Sequence, residues 1–298
     1  MRSARSPAKS PSEREADSIN AEPTVSEDDV RRQAGTYRVV VEYDGSDFSG
    51  FQFQPQVRTV AGVLERALSR LFELTTKVTA AGRTDAGVHA VAQVISFKAH
   101  VDFPIERLAI ALNSILPPDV SVRDAARVAS GFSARLSALE RAYAYLVLNR
   151  PAPSALLRRW THHEYRRLDI EAMQSAAQAL IGTHDFLSFC GVPPEFGGTV
   201  RTLRAIGICR EGELVRLDFR ADGFLHRMVR TMTGTLLEVG AGRRPPDATA
   251  QLLAARDRKA AGMTAPPQGL YLRDVRYPDF SSGPAEGDFL RPLQQMFS

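Results

Sequence analysis

Cysteine is nearly missing from this chain: Cys190 and Cys209 are the two present in 298 residues. That excludes the disulfide scaffold of a small secreted domain and leads us to expect a reduced pair in a cytoplasmic protein. Histidine is also sparse, with six in all and only His162 and His163 adjacent. No CxxC or HExxH spacing occurs, so no metal site is expected, and no cofactor-binding motif stands out. No apolar run approaches the ~18 residues of a membrane span, and no signal-peptide core is expected near the start. A strong charge of one sign is lacking too. The net charge is +4, with −1 on residues 1–35 and −2 on residues 279–298, which leaves +7 between them. This mild basicity permits a polyanionic partner without requiring one.

What is present is enough apolar residue for a sizeable core, 44% of the chain. Residues 1–35 are rich in Ser, Pro and charge and are expected to stay unordered. Residues 281–298 look similar but carry Phe289, Leu290, Leu293, Met296 and Phe297, which suits docking somewhere. Between these tails, Tyr37–Tyr43 reads as a strand stopped by Asp44-Gly45. Thr59–Leu74 reads as a helix capped by Thr59, and Phe103–Leu116 as a helix ended by Pro117-Pro118. Val78–Ala81 and Gln93–Ala99 read as strands. From Ala142 the pattern starts again: a strand at Tyr143–Leu148, a helix at Asp169–Ile181, and an antiparallel pair at Arg204–Arg210 and Glu213–Arg220. Helices follow at Phe224–Val239 and Asp247–Ala261. A strand, an Asp-Gly pair and a helix thus occur twice. The expected fold is α+β, with two related domains at 36–135 and 136–280. Each is a mainly antiparallel sheet with helices on one face, and an active-site cleft lies between them.

One stretch stands apart. Residues 82–90 read GRTDAGVHA. Taken alone, Asp85 in a glycine-bounded turn is most often a cap for a backbone amide. Arg83 has no part in turn geometry, however, and Gly82 and Gly87 let backbone and ligand approach closely. An aspartic-protease loop would need a second carboxylate sharing a proton, and neither Asp44-Gly45 nor Asp222-Gly223 has its pattern. Elsewhere, Tyr143 and Tyr145 share one face of a strand, as core aromatics or as a stacking platform for a base. His226 and Arg230 fall four apart on one helical face, where arginine usually meets solvent. Gly269-Leu270-Tyr271-Leu272 reads as a buried strand.

GRTDAGVHA, together with YDGSDFSGFQ at 43–52 and FLHRMVRTMTG at 224–234, resembles the TruA family of tRNA pseudouridine synthases. The resemblance runs from about Tyr37 to Pro278. One departure is Phe51, where the family has tryptophan between Gly and Gln. The resemblance implies isomerisation of uridine to pseudouridine in the tRNA anticodon stem-loop, at positions 38, 39 and 40, with no cofactor. It implies Asp85 as nucleophile, Arg230 as the cation that keeps Asp85 ionised, and Arg83 as the group that displaces the target base. Tyr143 then contacts that base, with a hydroxyl able to accept a proton, and Leu270 packs against it. The implied partners are tRNA and a second copy of the chain in a homodimer, with no membrane. Two rivals remain on the residues alone: a non-catalytic RNA-binding module, which would tolerate loss of Asp85, and a hydrolase, which would need a second carboxylate or a metal.

Overall fold

A computed structural model of the protein describes residues 35–99 and 103–284. The expectations for the two tails therefore lie outside the described residues, except that Gly35 opens a strand and Ser281–Pro284 follow the last one.

The first half contains β1 (Gly35–Tyr43), α1 (Val60–Phe72), β2 (Thr79–Ala80), β3 (His89–Ala99), α2 (Ile105–Asn113) and β4 (Val120–Val128). The second contains β5 (Glu140–Asn149), β6 (His162–Glu164), α3 (Ile170–Gln178), β7 (Gly182–Asp185), β8 (Val200–Glu211), β9 (Leu214–Ala221), α4 (Met228–Gly240), α5 (Ala248–Ala255) and β10 (Leu270–Arg276). Two helices start at the capping residues that open their segments. Thr59 accepts from the Gly62 amide at 3.2 Å, and Asp169 accepts from the Ala172 amide at 3.0 Å. The apolar stripe of α1, with Leu64 and Leu68, is buried against the sheet core.

The fold is α+β, and its strands form one continuous sheet in the order β4-β1-β3-β10-β5-β9-β8-β7, with β2 on β3 and β6 on β5. Most pairings are antiparallel. The two parallel ones are β10–β3 and β5–β6. The last strand in sequence, β10, thus sits in the middle of the sheet and joins the halves. Its contact with β3 spans just two register pairs, Tyr271 with His89 and Leu272 with Ala90. Its contact with β5 is longer and sets Leu270 opposite Tyr145 and Leu272 opposite Tyr143. Arg141, on β5, fastens the same joint: its guanidinium donates to the carbonyls of Ala81, Arg135, Ala138 and Asp222.

Two differences from the sequence reading matter. β4, β6 and β7 were not anticipated, because each is short or mixes charge with small residues. The helix expected to begin at Phe224 begins instead at Met228, since Arg227 takes a left-handed backbone at φ 59° and halts it. Phe224, Leu225 and His226 lie in the approach to the helix, not on it.

Within α4, a Cβ placed on Gly234 would overlap the Met263 carbonyl oxygen. The helix needs glycine there to approach the segment 263–265. Gly234→Ala is expected to destabilise the protein by ~1–3 kcal/mol through overpacking, read as a lowered Tm.

Candidate active site

The GRTDAGVHA loop is clamped by the segment that follows β1. The Phe51 amide donates to the Thr84 carbonyl at 3.0 Å, and the Gly87 amide to the Phe48 carbonyl at 3.3 Å. Gly50, at φ 93°, stands where a Cβ would press on the Thr84 carbonyl at 3.0 Å. Gly45 is so close to Val88 that a Cβ would overlap its carbonyl. Both glycines are needed for these approaches. Phe51, the departure from the family pattern, is buried and packs at a tilt on Tyr43. Beneath the loop, the Tyr43 hydroxyl bonds Thr84 Oγ1 at 2.8 Å, and the fully buried Gln93 donates to the Gly82 carbonyl at 2.7 Å. Burial pushes the Tyr43 pKa up to about 12, against the hydrogen bonds from Thr84 and Gln93.

Asp85 projects from this loop to the other half of the sheet. Its Oδ2 accepts from Arg230 Nη1 at 2.7 Å. Arg230 is itself held, since its Nε donates to the Ala265 carbonyl at 2.8 Å and the Ala265 amide returns a bond to the Arg230 carbonyl at 3.0 Å. The pair spans 145 residues of sequence. The side chains are 26% exposed for Asp85 and 12% for Arg230, so solvent screens the ion pair in part, more on the carboxylate than on the guanidinium. The other carboxylate oxygen, Oδ1, has no hydrogen bond among the described residues. It faces His226 Nε2 at 3.7 Å.

His226 reaches Asp85 from the turn before α4, and its own position is set by Gly191, whose amide donates to the His226 carbonyl at 2.8 Å. The helical spacing of His226 and Arg230 anticipated that the two share a side. The irregular backbone at Arg227 brings His226 there by a different path.

Tyr143 and Leu270 are on neighbouring strands of the same half. Tyr143 is 7% exposed and packs edge-on against Phe224, with ring centres 5.1 Å apart. Its hydroxyl has no hydrogen-bond partner among the described residues, and it comes within 3.4 Å of where a Cβ on Gly82 would stand. Burial raises the Tyr143 pKa, and the neighbouring Tyr43 and Asp85 raise it further, while Arg141 opposes them. The phenol is therefore protonated at neutral pH. Tyr145, on the same face, is a core residue: fully buried, it donates to the Pro266 carbonyl at 2.8 Å. Leu270 is buried beside it. Arg83 is exposed and pairs with no described residue, so an ion pair with Asp85 is not formed. Asp85 and Arg230 thus meet at the line between the halves, with the Tyr143 hydroxyl close to the loop at Gly82, while Leu270 lies opposite Tyr145 on the next strand and Arg83 is exposed on the loop itself.

Among the described residues no three His, Cys, Asp or Glu side chains are placed to hold a metal, and no helix is long and apolar enough to cross a membrane. Cys190 and Cys209 form no disulfide, and Cys190 is buried.

A carboxylate with one oxygen held by Arg230, and the other without a hydrogen bond among the described residues, thus stands near a buried aromatic ring where the two halves of the sheet meet. The family profile described as tRNA pseudouridine synthase matches residues 39–135 and 176–278. The chain belongs to that family. It is 48% identical over 231 residues to tRNA pseudouridine synthase A of Halalkalibacterium halodurans, covering 77% of this chain and 88% of that protein. The protein of the same name from Caulobacter vibrioides is 46% identical over 244 residues, covering 82% and 99%. The one from Bacillus subtilis is 42% identical over 242 residues, covering 80% and 98%.

Proposed function

We propose that the protein isomerises uridines 38, 39 and 40 in the anticodon stem-loop of tRNA, with Asp85 as nucleophile and no cofactor. The observation that carries this reading is the Asp85–Arg230 pair at 2.7 Å, with Oδ1 left without a hydrogen bond among the described residues. Arg230 holds Oδ2 and balances its charge, which leaves Oδ1 as the attacking atom. Attack at C6 of the uracil or at C1′ of the ribose fits this arrangement equally. In either route the N1–C1′ bond breaks, the base turns, C5 bonds to C1′, and the carboxylate is released. C5 then loses its proton and N1 gains one, so no electrons are exchanged with any partner.

Tyr143 receives the base against its ring. Because its hydroxyl is protonated, it takes the C5 proton only while passing on its own. The Asp85 carboxylate, freed at that stage, is the acceptor. Leu270 packs on the other side of the base. Arg83 fills the place of the flipped nucleotide, where a planar guanidinium can reach neighbouring phosphates. The reading includes a division into units at about residue 135, a cytoplasmic location, and a homodimer across which one tRNA lies. Light scattering tests the dimer.

The function is tested by incubating the protein with unmodified tRNA transcripts and mapping pseudouridine by carbodiimide-dependent reverse-transcription stops. Absence of stops at all three positions defeats the reading. Arg230→Lys probes the anchoring. Lysine offers a point charge and cannot bond Asp85 and the Ala265 carbonyl together in the planar geometry of arginine. The single-turnover rate is expected to fall by ~10–100-fold, as for a misplaced catalytic group.

A further inference from the structure

We infer that His89, the last polar residue of the GRTDAGVHA loop, is a positioning residue that sets Asp85 against the second half of the protein. The inference rests on the reading that Asp85 is the nucleophile.

His89 is 2% exposed and takes no part in the chemistry proposed above. It touches three separate segments. Its Nε2 donates to the Arg159 carbonyl at 3.0 Å. Its ring stacks on Tyr271 with centres 4.8 Å apart and planes 20° from parallel. Its Nδ1 faces two groups of opposite demand: the Gly45 amide at 3.0 Å, which offers a hydrogen, and Asp44 Oδ1 at 3.1 Å, which accepts one. Burial of Asp44 favours its neutral form, but hydrogen bonds from His89 and Ser46 outweigh this and hold the carboxyl well below the usual range.

The partners of His89 form a network of their own. Tyr271 donates to the Trp160 carbonyl at 2.6 Å, and Arg159 pairs with Asp47 at 2.6 Å. Side chains alternate along β10, so Tyr271 points to the face opposite Leu270. A cavity of about 500 Å³ bordered by His89, Trp160 and Tyr271 lies there, and no candidate catalytic residue borders it. His89 thus works from behind the sheet.

Its leverage comes from register. His89 and Tyr271 are one of the two residue pairs by which β3 meets β10, the parallel contact between the halves. Asp85 stands four residues before His89, and Leu270 one before Tyr271. Asp85 belongs to the first half, whereas Arg230, Tyr143 and Leu270 belong to the second. A shift at this short joint moves the nucleophile relative to everything it must meet. The contacts on Nε2, on Nδ1 and on the ring oppose such a shift from three directions.

The test uses the full-length protein with three variants of this residue: His89→Phe, which keeps a ring and loses both nitrogens; His89→Gln, which keeps a donor near Nε2; and His89→Ala. Single-turnover rates at saturating enzyme are compared with tRNA affinity by filter binding and with Tm. We expect His89→Phe to lower the rate by ~10–100-fold, with affinity within about threefold because phosphate contacts dominate it. His89→Gln should recover part of the loss, and His89→Ala should lose most. A folded His89→Phe with native rate, or one whose rate and affinity fall together, overturns the inference. Should His89→Phe fail to fold, His89→Gln decides alone, since a native rate without the stacked ring or Nδ1 also overturns it. A native protein that makes no pseudouridine in this assay defeats the proposed function instead.

Discussion

Asp85→Ala is expected to abolish pseudouridine formation, lowering the rate by at least ~10⁴-fold, a loss typical of a removed nucleophile. No other described carboxylate contacts Arg230, so nothing is placed to substitute. Binding of tRNA should stay within about threefold of native, since phosphate contacts supply most of it. Alanine also strands the guanidinium of Arg230, which is 12% exposed, and some loss of stability will accompany the change. Asp85→Asn separates the two effects. Its amide oxygen can still accept from Arg230 Nη1, so Tm should return toward native while activity stays absent. Carbodiimide mapping after long incubation, alongside thermal melts, reads both quantities. Multiple turnover in either variant would sink the nucleophile assignment.

Tyr143→Phe is expected to lower the single-turnover rate by ~10²–10⁴-fold, the usual contribution of general acid–base catalysis. The ring and its edge contact with Phe224 survive the change. The hydroxyl, which bonds no described residue, can be removed at little structural cost. Asp85 should still break the N1–C1′ bond in this variant, so a rearranged uracil that has left Asp85 but keeps its C5 proton should build up on the RNA and be seen in a rapid-quench time course ahead of pseudouridine. Tyr143→Ala removes the stacking surface too and should weaken productive binding by a further ~10–100-fold, the equivalent of ~1–3 kcal/mol of base stacking. A Phe variant within about threefold of native rejects proton transfer and leaves Tyr143 as a platform alone.

Much of the local structure was legible because it is written in short-range chemistry. Thr59 and Asp169 announce their helices by capping, β1 is a run of β-branched and aromatic residues, and Asp44-Gly45 stops it. The order of the strands was not legible. β10 enters the sheet between β3 and β5, more than 120 residues after either begins, and no local pattern encodes such a neighbour. For the same reason the meeting of Asp85 with Arg230 could be expected only through family resemblance. On helical spacing alone Arg230 reads as a solvent-facing residue, yet it is largely covered. The start of α4 was misjudged because Arg227 adopts a left-handed backbone that its residue type disfavours, and tertiary contacts around His226 and Gly191 hold it there. His89 was visible as part of a motif, but its three partners come from segments far apart in sequence.

A ten-stranded sheet with two ends raises the question of what stops it from growing. The β4 end carries Arg123, Asp124 and Arg127 in exposed positions. The pairing of β4 with β1 also slips by a residue near Arg123, where Val40 faces Asp124 but Val41 faces Val122. A bulged, charged rim offers a poor template for a further strand. The β7 end is four residues long, too short to guide one. Among the described residues both ends of the sheet are thus poor templates for strand addition, and the proposed homodimer would form through faces and loops instead.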